Sequence, residues 1–177
     1  MIIHNDIEQG TDEWFSLRLG LVTGTRLKSL MGSLTTQTGL KAMDSLLFEI
    51  LAERDTGIIK ETGKSPSMER GNEEEENTQD HFEIMTGKKV KNVGFVTSEE
   101  FEMLGLSPDG LIYNDKEIVT EAVEYKNPNS DTHLRYTLHH LGIETYSDLS
   151  KGFTDEIPEN YYWQIVNYFL VIPTLET

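Results

Sequence analysis

The chain has 177 residues, of which 37% are hydrophobic and 26% charged, with a net charge of −16 and no cysteine. That size and balance suit one folded domain over residues 1–177, and no apolar run is long enough to span a bilayer. The acidic excess speaks against a general nucleic-acid coat, and the lack of thiols removes disulfides, thiolate zinc sites and iron–sulfur clusters together.

Met1-Ile2-Ile3-His4-Asn5-Asp6 lacks the basic, apolar and small-residue succession of a signal peptide, so the cytoplasm is the expected compartment. Thr11 is expected to cap a helix with Asp12 and Glu13 in its first turn, Trp14 and Leu17 on its apolar side and Gly20 at its end. Arg18 falls one turn after Trp14; the plain alternative for it is a solvated arginine with its stem on the indole. Thr23-Gly24-Thr25 opens a second short helix, Arg26 to Met31, ended by Gly32, whose first amides would form an anion site. From Leu40 to Arg54 the residues Met43, Leu46, Leu47, Ile50 and Leu51 recur at three and four, which predicts an amphipathic helix with this stripe as core. Residues 55–67 read as a loop. The glutamate run Glu73–Glu76 leads into a helix carrying Phe82 and Met85 and ending at Gly87. Such a run is usually a solvated face, and only one glutamate can turn inward with Phe82; the spacing favours Glu75.

Residues 88–97 alternate as a strand that starts with the basic cluster Lys88, Lys89 and Lys91. A turn at Ser98–Glu100, a strand over Phe101–Leu106 and the Ser107-Pro108-Asp109-Gly110 bend then give an antiparallel meander whose last strand carries Glu124 and Lys126. Side chains two apart in a strand share a face, so these two would point towards Asp109 while Val123 and Tyr125 meet the core. Glu121 has the other parity, and Ala122 leaves room. Two carboxylates and a lysine on one side of a sheet suit divalent-cation phosphodiester chemistry: the acids hold a hard cation, and the lysine orients water or offsets phosphate charge. Asn127-Pro128 breaks the strand. A helix around Thr132–Leu141 and a polar loop to Glu156 precede a last helix, with Pro158 in its first turn and aromatic packing from Tyr161 onward. His133, His139 and His140 lack the i, i+4 spacing of a helical zinc pair. Helices, then strands, then helices predict an α/β or α+β fold, with a central mixed sheet flanked by helices.

Taken jointly and in order, Gln9-Gly10-Thr11-Asp12-Glu13-Trp14, Leu17-Arg18-Leu19-Gly20, Thr23-Gly24-Thr25, Arg70-Gly71-Asn72-Glu73-Glu74-Glu75, Ser107-Pro108-Asp109-Gly110, Glu124-Tyr125-Lys126-Asn127-Pro128 and Tyr161-Tyr162-Trp163-Gln164-Ile165 give the chain a family resemblance. Over about residues 7–172 it resembles the phage lambda exonuclease and YqaJ viral recombinase family of PD-(D/E)XK nucleases, with their restriction-endonuclease-like core. The resemblance implies a metal-dependent exonuclease acting at duplex DNA ends, 5′ to 3′, leaving 3′ single strands for phage recombination. It implies two Mg²⁺ ions, with Mn²⁺ as a substitute. Asp109, Glu124 and the Tyr125 carbonyl would hold metal, and Glu75 would stand near the second ion. Lys126 would act on the water or the scissile phosphate, Gln164 would line the site, and Arg18, Thr25 and Ser107 would grip the terminal phosphate. The implied partners are double-stranded DNA ends and a single-strand annealing protein, and the implied setting is phage or prophage recombination in the bacterial cytoplasm. A ring-shaped trimer is implied for assembly, although the sequence ends soon after Ile172, short of the further strand and helix of lambda exonuclease. Thr-Gly-Thr stands where Thr-Ala-Ser is more usual, and Asn127-Pro128 where Cys-Pro or Thr-Pro is. Two alternatives stand beside this reading. One is an iron–sulfur nuclease of CRISPR adaptation, against which the missing cysteines count. The other is an inactive acidic protein of the same fold, serving as a DNA- or protein-binding module or inhibitor.

Overall fold

A computed structural model describes residues 1–31, 35–59, 66–134 and 159–177. Five helices are labelled α1 (Asp12–Arg18), α2 (Gly24–Met31), α3 (Gln37–Thr56), α4 (Pro66–Thr86) and α5 (Glu159–Val171). Strand β1 (Ile2–His4) pairs antiparallel with β2 (Phe95–Thr97), and β2 with β3 (Gly105–Leu106). Strands β4 (Gly110–Tyr113) and β5 (Val119–Val123) form a second antiparallel ladder. Lys91 and Leu111 exchange backbone bonds of 2.8 and 2.9 Å beside it, and a parallel bridge joins Val22 to Leu104. The class is α+β, with the sheet in two antiparallel pieces.

The helix ends follow their side chains. The Thr11 hydroxyl accepts from the Trp14 N–H at 3.3 Å, satisfying one of the first amides of α1, and Gly20 beyond its end takes φ +69°. Thr36 caps α3 by accepting from the Gly39 N–H at 3.1 Å, which starts that helix ahead of the expected Leu40.

The main core joins Leu27 of α2, Leu46 and Ile50 of α3, Val96, Leu106, Leu111 and Val119 of the strands, and Val171 and Ile172. The expected α3 stripe is narrower than its apolar residues. Leu47 is 43% and Leu51 61% exposed, because the inward row is Leu46, Ile50 and Glu53. The strand expected over 88–97 makes ladder contacts only at Lys91 and Phe95–Thr97, and Phe101–Leu106 shortens to β3 because the Ser98 hydroxyl accepts from the Phe101 N–H at 3.0 Å and closes a turn. The last strand stops at Val123 rather than running through Lys126. Gly110 is the partner of Val123, and the next inward N–H, that of Tyr125, goes to the Asp109 carboxylate instead of a strand carbonyl. The lysine cluster is dispersed: Lys88 pairs with Glu121, Lys89 with Glu83 and Lys91 with Glu117. Residues 130–134 are helical. The expected stop at Gly32, part of the loop before Pro66, and the helix continuation and loop from 135 to Pro158, with His139 and His140, lie outside the described residues.

Glu53 is 1% exposed and makes the buried polar centre of the α2–α3 contact. Its carboxylate accepts from the Gly20 N–H at 2.9 Å and from both terminal nitrogens of Arg26, which also reaches Glu49 at 2.7 Å. Burial alone would raise the Glu53 pKa, but the Arg26 hydrogen bonds and the Gly20 N–H outweigh it and hold the acid below its ordinary value. Removing one partner of a buried pair costs roughly 3–5 kcal/mol. Arg26 keeps Glu49, so Glu53→Ala is expected near the low end, about 3 kcal/mol, read as a fall in the urea midpoint at unchanged slope. A midpoint matching wild type would show the pair to be energetically idle.

Candidate active site

The Ser107–Gly110 bend sits where the two ladders meet, and its position is set by side chains far away in sequence. The Gln9 amide donates to the carbonyls of Val93 and Pro108, both at 3.0 Å, tying the bend to the segment before β2. Asp109 is thereby held half-buried beside the end of β5, its Oδ2 accepting from the Tyr125 N–H. Glu124 lies next to it. One Glu124 oxygen accepts from Lys126 Nζ and from Gln164 Nε2, the latter at 2.6 Å, and the other accepts from the Tyr168 hydroxyl. Lys126 Nζ also lies 5.1 Å from the centre of the Tyr161 ring.

Charge crowding ties Glu75 to the same place. Of the described glutamates in its run, Glu74 and Glu76 are exposed and Glu75 is half-buried. Burial, and then the charge of Glu124, raise the Glu75 pKa, with Lys126 opposing. Asp109 is pushed up to about 7, first by burial and then by Glu124 and Glu75, against the Tyr125 N–H and Lys126. Protons or cations relieve such crowding. Tyr125 points its ring inward against Phe82, its hydroxyl buried without a partner and its pKa pushed up to about 12 by burial and then by Asp109.

An adjoining small cavity is lined by Arg18, Thr23, Gly24, Thr25, Leu106, Ser107, Gln164 and Tyr168. Arg18 is no surface arginine of the plain kind. Its guanidinium stacks 4.0 Å from the Trp14 ring centre, and Nη1 donates to the Ser107 hydroxyl at 2.8 Å. The Trp14 N–H donates to that hydroxyl and to the Gly94 carbonyl, both at 3.0 Å. Burial, and then the like charge of Arg26, lower the Arg18 pKa to about 10. Gly24 lies against α5: a Cβ there would stand 2.9 Å from Gln164 Cγ. A methyl at that point would push on the side chain that holds Glu124.

The structure thus brings Asp109, Glu124, Lys126, Gln164 and Glu75 into one electrostatic cluster, and Arg18, Ser107 and Thr25 into the neighbouring cavity, with Thr25 exposed at its edge. Sequence reading passed over Tyr168, Trp14 and Thr23. Thr23 is buried with its hydroxyl lacking a partner at the cavity. Its signal was present as the residue before Gly24, in N-cap position. Among the described residues no three His, Cys, Asp or Glu side chains form a ready ligand cluster. The donor chemistry nevertheless fits a hard divalent cation, because the crowded groups of Asp109, Glu124 and Glu75 are all carboxylates.

Two solved structures have folds similar to this chain. An alkaline exonuclease, LHK-Exo from Laribacter hongkongensis, is 26% identical with a TM-score of 0.69, over 92% of this chain and 69% of that one. LHK-Exo in complex with dAMP gives 26% identity and a TM-score of 0.68, over 91% and 68%. Comparison with curated proteins gives no match. The model of the YqaJ-like viral recombinase domain matches residues 13–174, and the chain belongs to that family.

Proposed function

We propose that this protein is a metal-dependent deoxyribonuclease that digests duplex DNA from its ends, from the 5′ end, leaving 3′ single strands for recombination. The observation that carries it is the shared wall between two sites: Gln164 and Tyr168 hold Glu124 in the acid cluster and also line the cavity of Arg18 and Ser107. A phosphate seated in that cavity would place the following backbone phosphate beside the acids. The exonuclease activity in the names of the similar structures supports the same reading.

Asp109 and Glu124, with the Tyr125 carbonyl, would hold a divalent cation, Mg²⁺ or Mn²⁺, and Glu75 would serve a second. A cation there would supply Lewis-acid polarisation of the phosphate and offset its charge. Lys126, already at the Glu124 carboxylate, would shift its positive charge towards the scissile phosphate as negative charge develops. Gln164 orients Glu124. Arg18 and Ser107, with the amides at the start of α2, would grip the terminal phosphate, and the stacked indole of Trp14 fixes the guanidinium plane. The net charge of −16 leaves little general attraction for DNA, so affinity must come from such local groups and bound cations.

The test is a timed digestion of linear duplex labelled at either end, with Mg²⁺ and with EDTA. Release of 5′-terminal nucleotides with Mg²⁺ alone is expected; duplex bound but uncut would favour the inactive binding module. Hydrogen bonds to charged groups are worth about 1.5–3 kcal/mol, so 5′-phosphorylated ends should be digested about 10- to 100-fold faster than 5′-hydroxyl ends. Arg18→Ala should erase that difference by slowing the phosphorylated substrate. Equal rates on both ends for the wild-type protein would remove the cavity from the mechanism.

A further inference from the structure

Tyr168 is the residue that belongs to both halves of this site. Its ring is packed in the main core and 4% exposed, yet its hydroxyl reaches Glu124 and its side chain lines the cavity beside Arg18 and Ser107. Gln164 stands one helical turn earlier on α5 and donates to the other Glu124 oxygen. Residues four apart on a helix share a face, so successive turns of one helix hold both oxygens of one carboxylate. α5 is itself fixed to the sheet, since the fully buried Asn167 donates its amide to the Gly105 carbonyl at 3.0 Å.

From this geometry we infer that Tyr168 is a positioning residue: its hydroxyl sets the direction of the Glu124 carboxylate and, through α5, the offset between the acid cluster and the terminal-phosphate cavity. The inference rests on the nuclease reading above. A core tyrosine could instead be present only for its ring, but packing does not require a hydroxyl aimed at a carboxylate that two other donors already reach. Partners that orient a metal-binding carboxylate typically cost 10- to 100-fold in metal affinity or activity when removed.

Tyr168→Phe deletes the hydroxyl and keeps the ring, and the full chain is the material for the test. Three measurements decide it: calorimetric titration of the metal-free protein with Mg²⁺ alone, steady-state digestion of a 5′-phosphorylated duplex, and thermal melting in EDTA. About tenfold weaker Mg²⁺ binding and a roughly tenfold or larger fall in kcat are expected. KM for DNA should stay within about twofold, the pattern of a group that acts on the reacting centre and not on substrate binding. Wild-type Mg²⁺ affinity and kcat in the variant would overturn the assignment, as would a rise in KM alone. A variant that melts far below wild type in EDTA would mark the hydroxyl as structural and overturn it too. A wild-type protein that neither binds Mg²⁺ nor cleaves would bring down the nuclease reading and this one with it. Normal wild-type binding and cleavage beside an unaltered variant would remove the Tyr168 assignment alone.

Discussion

Asp109→Asn is expected to abolish cleavage while making the metal-free protein more stable above neutral pH. Loss of one preorganised group at a reacting phosphate is already worth roughly 10²–10³-fold, and a cation-holding acid should exceed that. The stability gain follows from the raised pKa. Folding lifts the Asp109 pKa from 3.8 to about 7, so between those values the folded state keeps a proton that the unfolded chain has lost. Stability contributed by that proton is fully present below about pH 4 and is lost as pH rises through 7. Asparagine cannot ionise and still accepts the Tyr125 N–H, so it escapes the loss. A gain of about 1 kcal/mol at pH 8 is expected, well below the full shift at 1.4 kcal/mol per unit, because charges at a half-open site are screened. Melting curves in EDTA from pH 4 to 8.5 read this directly. Wild type and variant should converge at the acid end and separate towards neutrality. Parallel curves across the range would mean that Asp109 is not crowded by Glu124 and Glu75.

The grouping of these side chains was legible where its signals are local. The Ser107-Pro108-Asp109-Gly110 bend, the two-residue spacing of Glu124 and Lys126, and the Thr11 cap each depend on a few neighbouring residues, and the structure keeps each of them. What was misread depends on how elements dock. The stripe of α3 cannot reveal that its inward row ends in Glu53 and leaves Leu47 and Leu51 outside, because that is fixed by Arg26 and the Gly20 N–H on another segment. Val123 looked like the middle of a strand, since the loss of its neighbours' ladder partner is a property of where β4 begins. Tyr168 read as one aromatic among several on α5. Its role shows only once Glu124 is placed against it from 44 residues away.

Lys126→Ala is expected to leave a folded protein that still binds Mg²⁺ and duplex ends but cuts them about 100- to 1000-fold more slowly, the usual effect of losing one charge aimed at the transition state. The structure explains why the fold should survive. The ammonium group is partly exposed, at 35% for its side chain, and rests over Tyr161 without entering the core. Its loss leaves Glu124 with Gln164 and Tyr168 as donors, so the carboxylate is not stranded. Stability should therefore fall by less than about 1 kcal/mol, as for other exposed ion pairs. Single-turnover digestion, with binding measured separately in Ca²⁺, separates the two effects: an unchanged Kd with a collapsed rate is the expected result. Lys126→Arg should recover little, because a planar guanidinium cannot reproduce a point charge held between Glu124 and the Tyr161 ring. Parallel losses of DNA affinity and rate in the alanine variant would instead make Lys126 a binding contact, and a large drop in melting temperature would make it a structural partner of Glu124.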